Sequence, residues 1–335
     1  MNRLEDYLYP TQKELFSIIK KAYGAKVISR NGSYVLVMGD APVLLVAHLD
    51  TVHKTPVKTI CKSDDGDILM SPQGIGGDDR CGVYALMKTH ERSEVKPWLL
   101  FTCDEEVGGK GADKFADDYC AKRTPKALRN VKLLIEIDRK GENDAVYYDC
   151  DNRELEQYIT DKGFETDFGS YSDISTIAQE MGVAAVNLSS GYYNAHTTHE
   201  YIVRSQLEQT INKVIEIVAE SCGAEFPKYK YIEAVRNYKG NWKSFPTSTS
   251  GKGWYKDYGL SYVSADDDDY EYAPADLPIE YADYYEELLG FYSYVELEEI
   301  REAYGDRAIL ELYESEFGKD YWKGDYLESD LPKCV

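Results

Sequence analysis

The sequence predicts an α/β fold: a mixed, mostly parallel central sheet flanked by helices, followed by an acidic, helical appendage. Three observations carry that expectation. Short apolar runs alternate with helical patterns through the first 222 residues, metal-ligating residue types gather where those runs end, and the composition changes sharply toward the C-terminal end. VLLVAH, WLLFTC, VKLLIEI and VAAVNL have strand character, while DRCGVYALMKTH, GADKFADDYC, RELEQYITDKG and ISTIAQEMG are helical in pattern. A closing helix is expected from about Ser205 to Ala219, with Gly223 as its stop. In open α/β sheets, sites collect at the carboxyl ends of the strands, and that is where this chain keeps its chemistry.

Composition bounds the function. With 335 residues, 43% of them apolar, the chain can bury a sizeable core. Lys and Arg total 38 against 60 Asp and Glu, a net charge of −22, so neither a nucleic acid nor an anionic membrane is an expected partner. The start MNRLEDYLYP carries acids, and the apolar run APVLLVA is far short of a membrane span, so no signal peptide or transmembrane helix is expected. Seven cysteines without any C-x-x-C spacing argue against a disulfide framework or a thiolate zinc site and point to a reducing cytoplasm.

The charge is uneven. From Asp266 onward, 22 acidic residues face 5 basic ones, a net −17, and 17 of the 30 tyrosines follow Cys222. Three regions are therefore expected: a catalytic domain over 1–222, a linker or extended excursion over 223–274 that includes DDDDY, and an acidic, Tyr-rich helical region over 275–335. The tail suits an accessory helical domain, an oligomer contact, a gate over the site or a docking module for a basic protein partner.

Four strand-like runs end in metal-ligand chemistry. VLLVAHLD delivers His48 and Asp50; WLLFTCDEE delivers Asp104, Glu105 and Glu106; VKLLIEID delivers Asp138; and VAAVNLSSGYYNAH leads to His196. The GIGGDDR turn adds Asp78 and Asp79. Two imidazoles among several carboxylates suit zinc, with cobalt or manganese as alternatives. A shared carboxylate can hold two such ions about 3.5–4 Å apart, where they polarise one carbonyl and activate one water. Five such clusters after successive buried strands would cost several kcal/mol per unpaired carboxylate, roughly, unless cations compensated them.

AHLDTV, GIGGDDRCG and FTCDEEVGGKGA, followed by EID at Glu136–Asp138 and AHTTHEY at Ala195–Tyr201, resemble the motifs of the co-catalytic zinc exopeptidase superfamily. That superfamily includes peptidase T, carboxypeptidase G and bacterial and vacuolar aminopeptidases, and the resemblance spans roughly residues 30–222. It implies a zinc exopeptidase-like fold and a site in which His48 and Asp138 hold one metal, Glu106 and His196 the other, and Asp78 bridges both. Asp50 would orient the His48 imidazole, and Glu105 would be the catalytic base. AHTTHEY also offers His199, but relatives pair the ligand with a following Glu, which fits His196 with Glu200. His196 follows Asp138 by only 58 positions, too few for the lid domain of peptidase T relatives. The layout is closer to lidless aminopeptidases, and Tyr192 or Tyr193 is a candidate to replace a lid-borne oxyanion donor.

His53 and His90 lie outside every motif and read as surface or structural residues, His53 being near enough to the site for a substrate contact. Cys81 and Cys103 read as packing, and Gly76, Gly77, Gly108 and Gly109 as tight turns near the ligands. The expected activity is di-zinc hydrolysis of the terminal peptide bond of short peptides. Deacylation of N-acyl amino acids by the same base, and a non-catalytic binding protein acting through its tail, are the alternatives.

Overall fold

The computed structural model describes residues 3–30, 32–169, 171–234, 288, 297, 301, 305 and 307–317. The chain forms two units, 1–236 and 237–335. The first opens with helices α1 (Glu5–Leu8) and α2 (Gln12–Tyr23), and the second of these is fixed at its start by a reciprocal Thr11–Glu14 capping box. Strands β1 (Val27–Arg30), β2 (Tyr34–Val37) and β3 (Val43–His48) follow, then the short β4 (Cys61–Lys62) and β5 (Ile68–Met70). Helix α3 (Gly77–Arg92) leads to β6 (Trp98–Thr102), α4 (Lys110–Cys120), β7 (Leu133–Arg139) and β8 (Asp144–Val146). The unit continues through α5 (Arg153–Asp161), β9 (Glu165–Thr166), α6 (Asp173–Met181), β10 (Ala185–Ser189), β11 (Tyr192–Tyr193), β12 (Tyr201–Val203) and α7 (Arg204–Ser221).

Eight strands form the central sheet in the order β1-β2-β6-β3-β7-β10-β8-β9. Pairs β3–β6, β3–β7, β7–β10 and β8–β9 are parallel, whereas β1–β2, β2–β6 and β8–β10 are antiparallel. The apolar runs are continuous because helices cover both faces. Val43, Leu45 and Ala47 join one core with residues of α2, α3, α5 and α7, while Leu44 and Val46 join another with α4 and α6. Register then sets the site: His48 lies beside Thr102, and Val46 beside Glu136, so the ends of β3, β6 and β7 arrive at one edge.

A second, four-stranded sheet, β11-β12-β5-β4, was not expected from the sequence. Its strands have two or three residues, too few to show a period. The first unit also continues beyond Cys222, where the sequence suggests that a linker begins. Tyr229 is buried, its N–H donates to Lys132 O at 2.9 Å and its carbonyl accepts from Ala184 N at 2.9 Å.

In the second unit, helix α8 spans Arg307–Phe317, with Ile309 and Tyr313 buried. The excursion expected over 223–274 lies outside the described residues from 235 on, as does most of the acidic region expected over 275–335. Among the described residues, no helix is long and apolar enough to cross a membrane.

Candidate metal centre

Strand β3 delivers His48 fully buried, with its backbone N–H donating to Asp79 Oδ2 at 3.2 Å. The ring's Nε2 lies 3.0 Å from Asp78 Oδ1, 3.7 Å from Asp138 Oδ2 and 4.0 Å from Glu105 Oε2. Its Nδ1 faces Asp50 Oδ1 at 3.4 Å. Asp50 also accepts the backbone N–H groups of Glu105 (3.1 Å) and Glu106 (3.0 Å), joining the end of β3 to the loop after β6.

Asp78 sits where α3 begins, and neither it nor Asp79 has helical backbone angles. Gly76 opens this turn at φ +65°, a region that a glycine adopts without steric cost. Buried Glu200 holds the turn by accepting from Gly76 N (2.8 Å) and Asp78 N (3.0 Å), and it bonds His53 Nε2 at 2.8 Å. Asp79, wholly buried, accepts from Gly82 N at 2.9 Å. A Cβ on Gly82 would stand 2.4 Å from the Asp79 carboxylate and from Ile137 O, so only glycine lets α3 approach β7 here. Asp138 is clasped by Asn187, whose Oδ1 accepts the Asp138 N–H at 2.8 Å and whose Nδ2 donates to the Asp138 carbonyl at 3.1 Å. Tyr192 donates to Asp138 Oδ1 at 3.2 Å.

His196 comes from the loop after β11 with φ +66°, and its Nε2 lies 3.3 Å from Asp78 Oδ2 and 3.2 Å from Glu106 Oε2. Three overlapping groups result: His48, Asp78 and Asp138; His48, Glu105 and Glu106; Asp78, Glu106 and His196. In each, the ligand atoms lie within 4.8 Å of one another. The two oxygens of Asp78 face two different imidazoles.

The electrostatics fit a cation. Burial opposes charge on His48, yet Asp138, Asp50 and Asp78 outweigh it and raise its proton affinity well above the ordinary value. Hydrogen bonds to Asp78 and Glu106 bring His196 up to about 10. A field that draws protons onto two imidazoles also draws a divalent ion to their nitrogens. Burial and neighbouring carboxylates push Asp138 and Asp79 well up, and burial pushes Glu105 up to about 7. Against burial, the His196 and His48 imidazoles keep Asp78 well below the usual carboxylate range. Glu106 Oε1 is buried without a hydrogen-bond partner among the described residues, an acceptor that a metal would satisfy.

The residues His48, Asp50, Asp78, Glu105, Glu106, Asp138 and His196 thus come together. His199 does not: it is exposed, its N–H donates to Thr197 Oγ1, and it joins none of the three groups. The two tyrosines part company because neighbouring strand residues face opposite sides. Tyr192 turns to Asp138, while Tyr193 donates to Gln206 Oε1 at 2.8 Å and stacks on Tyr201. His53 serves Glu200, and His90 packs edge-on against Tyr23. Cys81 and Cys103 are core residues whose thiols burial pushes up, that of Cys103 to about 12.

Sequence reasoning missed Asn187, Arg80 and Gln12, and it gave Glu200 no contact of its own. A lone amide inside VAAVNL was the available signal for Asn187. Gln12 lies before every motif and had none.

No family model matches the chain, and no curated protein does. Solved structures do. The aminopeptidase PepT from Bacillus cereus ATCC 10987 aligns with 66% of this chain and 97% of its own at 14% identity and a TM-score of 0.50. A tripeptidase from Staphylococcus aureus subsp. aureus Mu50 covers 65% and 98% at 16% identity and a TM-score of 0.49. The Pyrococcus horikoshii TET1 peptidase, which can assemble into a tetrahedron or a large octahedral shell, covers 64% and 98% at 14% identity and a TM-score of 0.49. At such identities the likeness to PepT concerns the fold alone, a mixed, mostly parallel α/β sheet flanked by helices, which is the class that the sequence predicts.

Proposed function

We propose that the chain is a di-metal exopeptidase that hydrolyses the terminal peptide bond of short peptides, as an aminopeptidase or dipeptidase. The observation that carries this reading is the Asp78 carboxylate, with one oxygen toward His48 and the other toward His196. In this reading His48 and Asp138 would hold one ion, Glu106 and His196 the other, and Asp78 would be shared between them. Mixed imidazole and carboxylate donors favour zinc, with cobalt or manganese as alternatives. When bound, the ions would polarise the scissile carbonyl and acidify a water.

The remaining chemistry belongs to the chain. Glu105, part-buried at 13% side-chain exposure and facing His48, takes the proton of the attacking water and returns it to the leaving amine. Burial raises its proton affinity, and the bound ions would act in the opposite direction by favouring the carboxylate. Asp50 fixes the His48 ring through Nδ1, leaving Nε2 for the ion. Tyr192 orients Asp138 rather than the substrate.

The deciding experiment compares purified zinc-loaded protein with its Glu105→Gln variant on aminoacyl, dipeptide and N-acyl amino acid substrates. Turnover of free-amine peptides that disappears in the variant, with two metals retained, is expected. Turnover of N-acyl substrates alone would replace the peptidase reading with a deacylase. Protein that binds no metal would refute both.

A further inference from the structure

Two of the loops that carry candidate ligands lie outside the strands: Gly76–Asp79, with Asp78, and Asp104–Glu106, with both glutamates. The N-terminal segment Tyr7–Gln12 is bonded to the second and to Arg80, the residue that follows the first. Arg80, directly after the first loop and buried at 5% exposure, donates from Nη1 to the carbonyl oxygens of Pro10 (2.8 Å) and Tyr7 (3.4 Å). Two residues past Pro10, Gln12 reaches across 92 positions of sequence to the second loop. Its Nε2 donates to Asp104 Oδ1 at 2.9 Å, and its Oε1 accepts the Asp104 N–H at 3.1 Å.

The features around this pair support a constraint. Gln12 is the first residue of α2, and the Thr11–Glu14 capping box beside it fixes the helix start. Asp104 has φ +59°, a left-handed conformation that side-chain-bearing residues seldom adopt and that needs surrounding bonds to persist. Tyr7 and Leu8 anchor the segment in the core, while Pro10–Gln12 line a half-open pocket of about 280 Å³ together with Asp50, His53 and Gly74, so on that side polar ties hold the segment. An amide suits the position because it donates and accepts together, which neither a carboxylate nor an ammonium can do.

We propose that Gln12 is a positioning residue: its reciprocal pair with Asp104, tied through Pro10 and Arg80 to the Asp78 turn, holds Glu105 and Glu106 in register with Asp78. The role attached to Glu105 rests on the exopeptidase reading. The positioning itself does not.

The test is a swap. Gln12→Glu removes the donor to Asp104 and sets two carboxylates against each other. Adding Asp104→Asn restores a donor at one position and keeps an acceptor for the backbone N–H at the other. Zinc affinity is read by competition with a chromogenic chelator, and hydrogen exchange is followed over Cys103–Val107. Turnover is read as kcat and KM on whichever substrate the panel identifies.

The expected result for Gln12→Glu is a zinc affinity about 10–100-fold weaker at one of two positions. Exchange of the Glu105 and Glu106 amides should quicken, and kcat should fall more than KM changes. The double variant should recover all three. Unchanged zinc affinity and exchange in Gln12→Glu would overturn the proposal, as would a double variant that recovers nothing. A lowered melting temperature with zinc affinity intact would also overturn it, because that marks a purely structural tie. Should Gln12→Glu not fold, Gln12→Ala, which brings no charge, replaces it against the same criteria. Weakened and then restored zinc binding in a protein that turns over no peptide would sustain the positioning role while refuting the peptidase.

Discussion

The two halves of the candidate centre are built differently. His48 and Asp138 belong to strands β3 and β7 in the middle of the sheet, with side chains 1% and 10% exposed. Their backbones are bonded to Asp79 and Asn187. Glu106 and His196 stand on loops, and His196 is 36% exposed on a left-handed backbone. A site carried by a sheet inherits the precision of its hydrogen-bond ladder, while one carried by loops depends on side-chain ties. The inner half should therefore bind metal more tightly, and the outer half should govern exchange and substrate entry.

The largest expected effect lies between the halves. Glu105→Gln should lower kcat by about 10²–10⁴-fold while two metals stay bound, as measured by steady-state kinetics beside metal analysis. Full activity in that variant would move the base elsewhere. Next in size, His48→Ala should remove the tight metal position, whereas His196→Ala should leave one tightly held ion. Equal stoichiometry and affinity in the two variants, by calorimetric titration, would erase the distinction.

Smaller still, Tyr192→Phe should weaken metal binding about tenfold by freeing the Asp138 carboxylate. No change would reduce Tyr192 to packing.

The smallest effect lies at the far end of α3, outside both halves. Burial, with help from Lys96 and Lys26, lowers His90 to about 4. An unfolded histidine titrates near 6.5, so the unfolded chain takes up the proton first as pH falls. His90 therefore contributes stability that is fully present above pH 6.5 and lost as pH drops toward 4. The urea midpoint of the wild type should fall relative to that of His90→Phe as pH drops from 7 to 4, with or without zinc. Parallel curves would contradict the assignment, and a zinc-dependent difference would mean that this end of α3 is coupled to the centre.

Much of this was legible locally. The runs VLLVAH, WLLFTC and VKLLIEI announced β3, β6 and β7 because strands buried on both faces are continuously apolar. The last helix of the first unit, expected near Ser205–Ala219, spans Arg204–Ser221 because its period-3.6 pattern is long. His48, Asp138 and the Asp104–Glu106 run could be singled out because they lie at or just past the ends of such strands, whereas Asp78 and His196 were picked out by their motifs alone. The choice between Tyr192 and Tyr193 was not, since one residue of phase decides which face of β11 a side chain takes. Nor was the four-stranded sheet, whose strands are too short to carry a pattern.

By itself, then, the sequence determined the class of fold, the strand ends that bear the chemistry and the residue types gathered there. Those properties follow from periodicity and composition over a few residues. Only the tertiary structure decided that Tyr192 serves Asp138, that Glu200 holds the Asp78 turn and that Gln12 holds Asp104. Each is a contact between distant segments, set by sheet register and by the packing of α2 and α3, which no local pattern encodes.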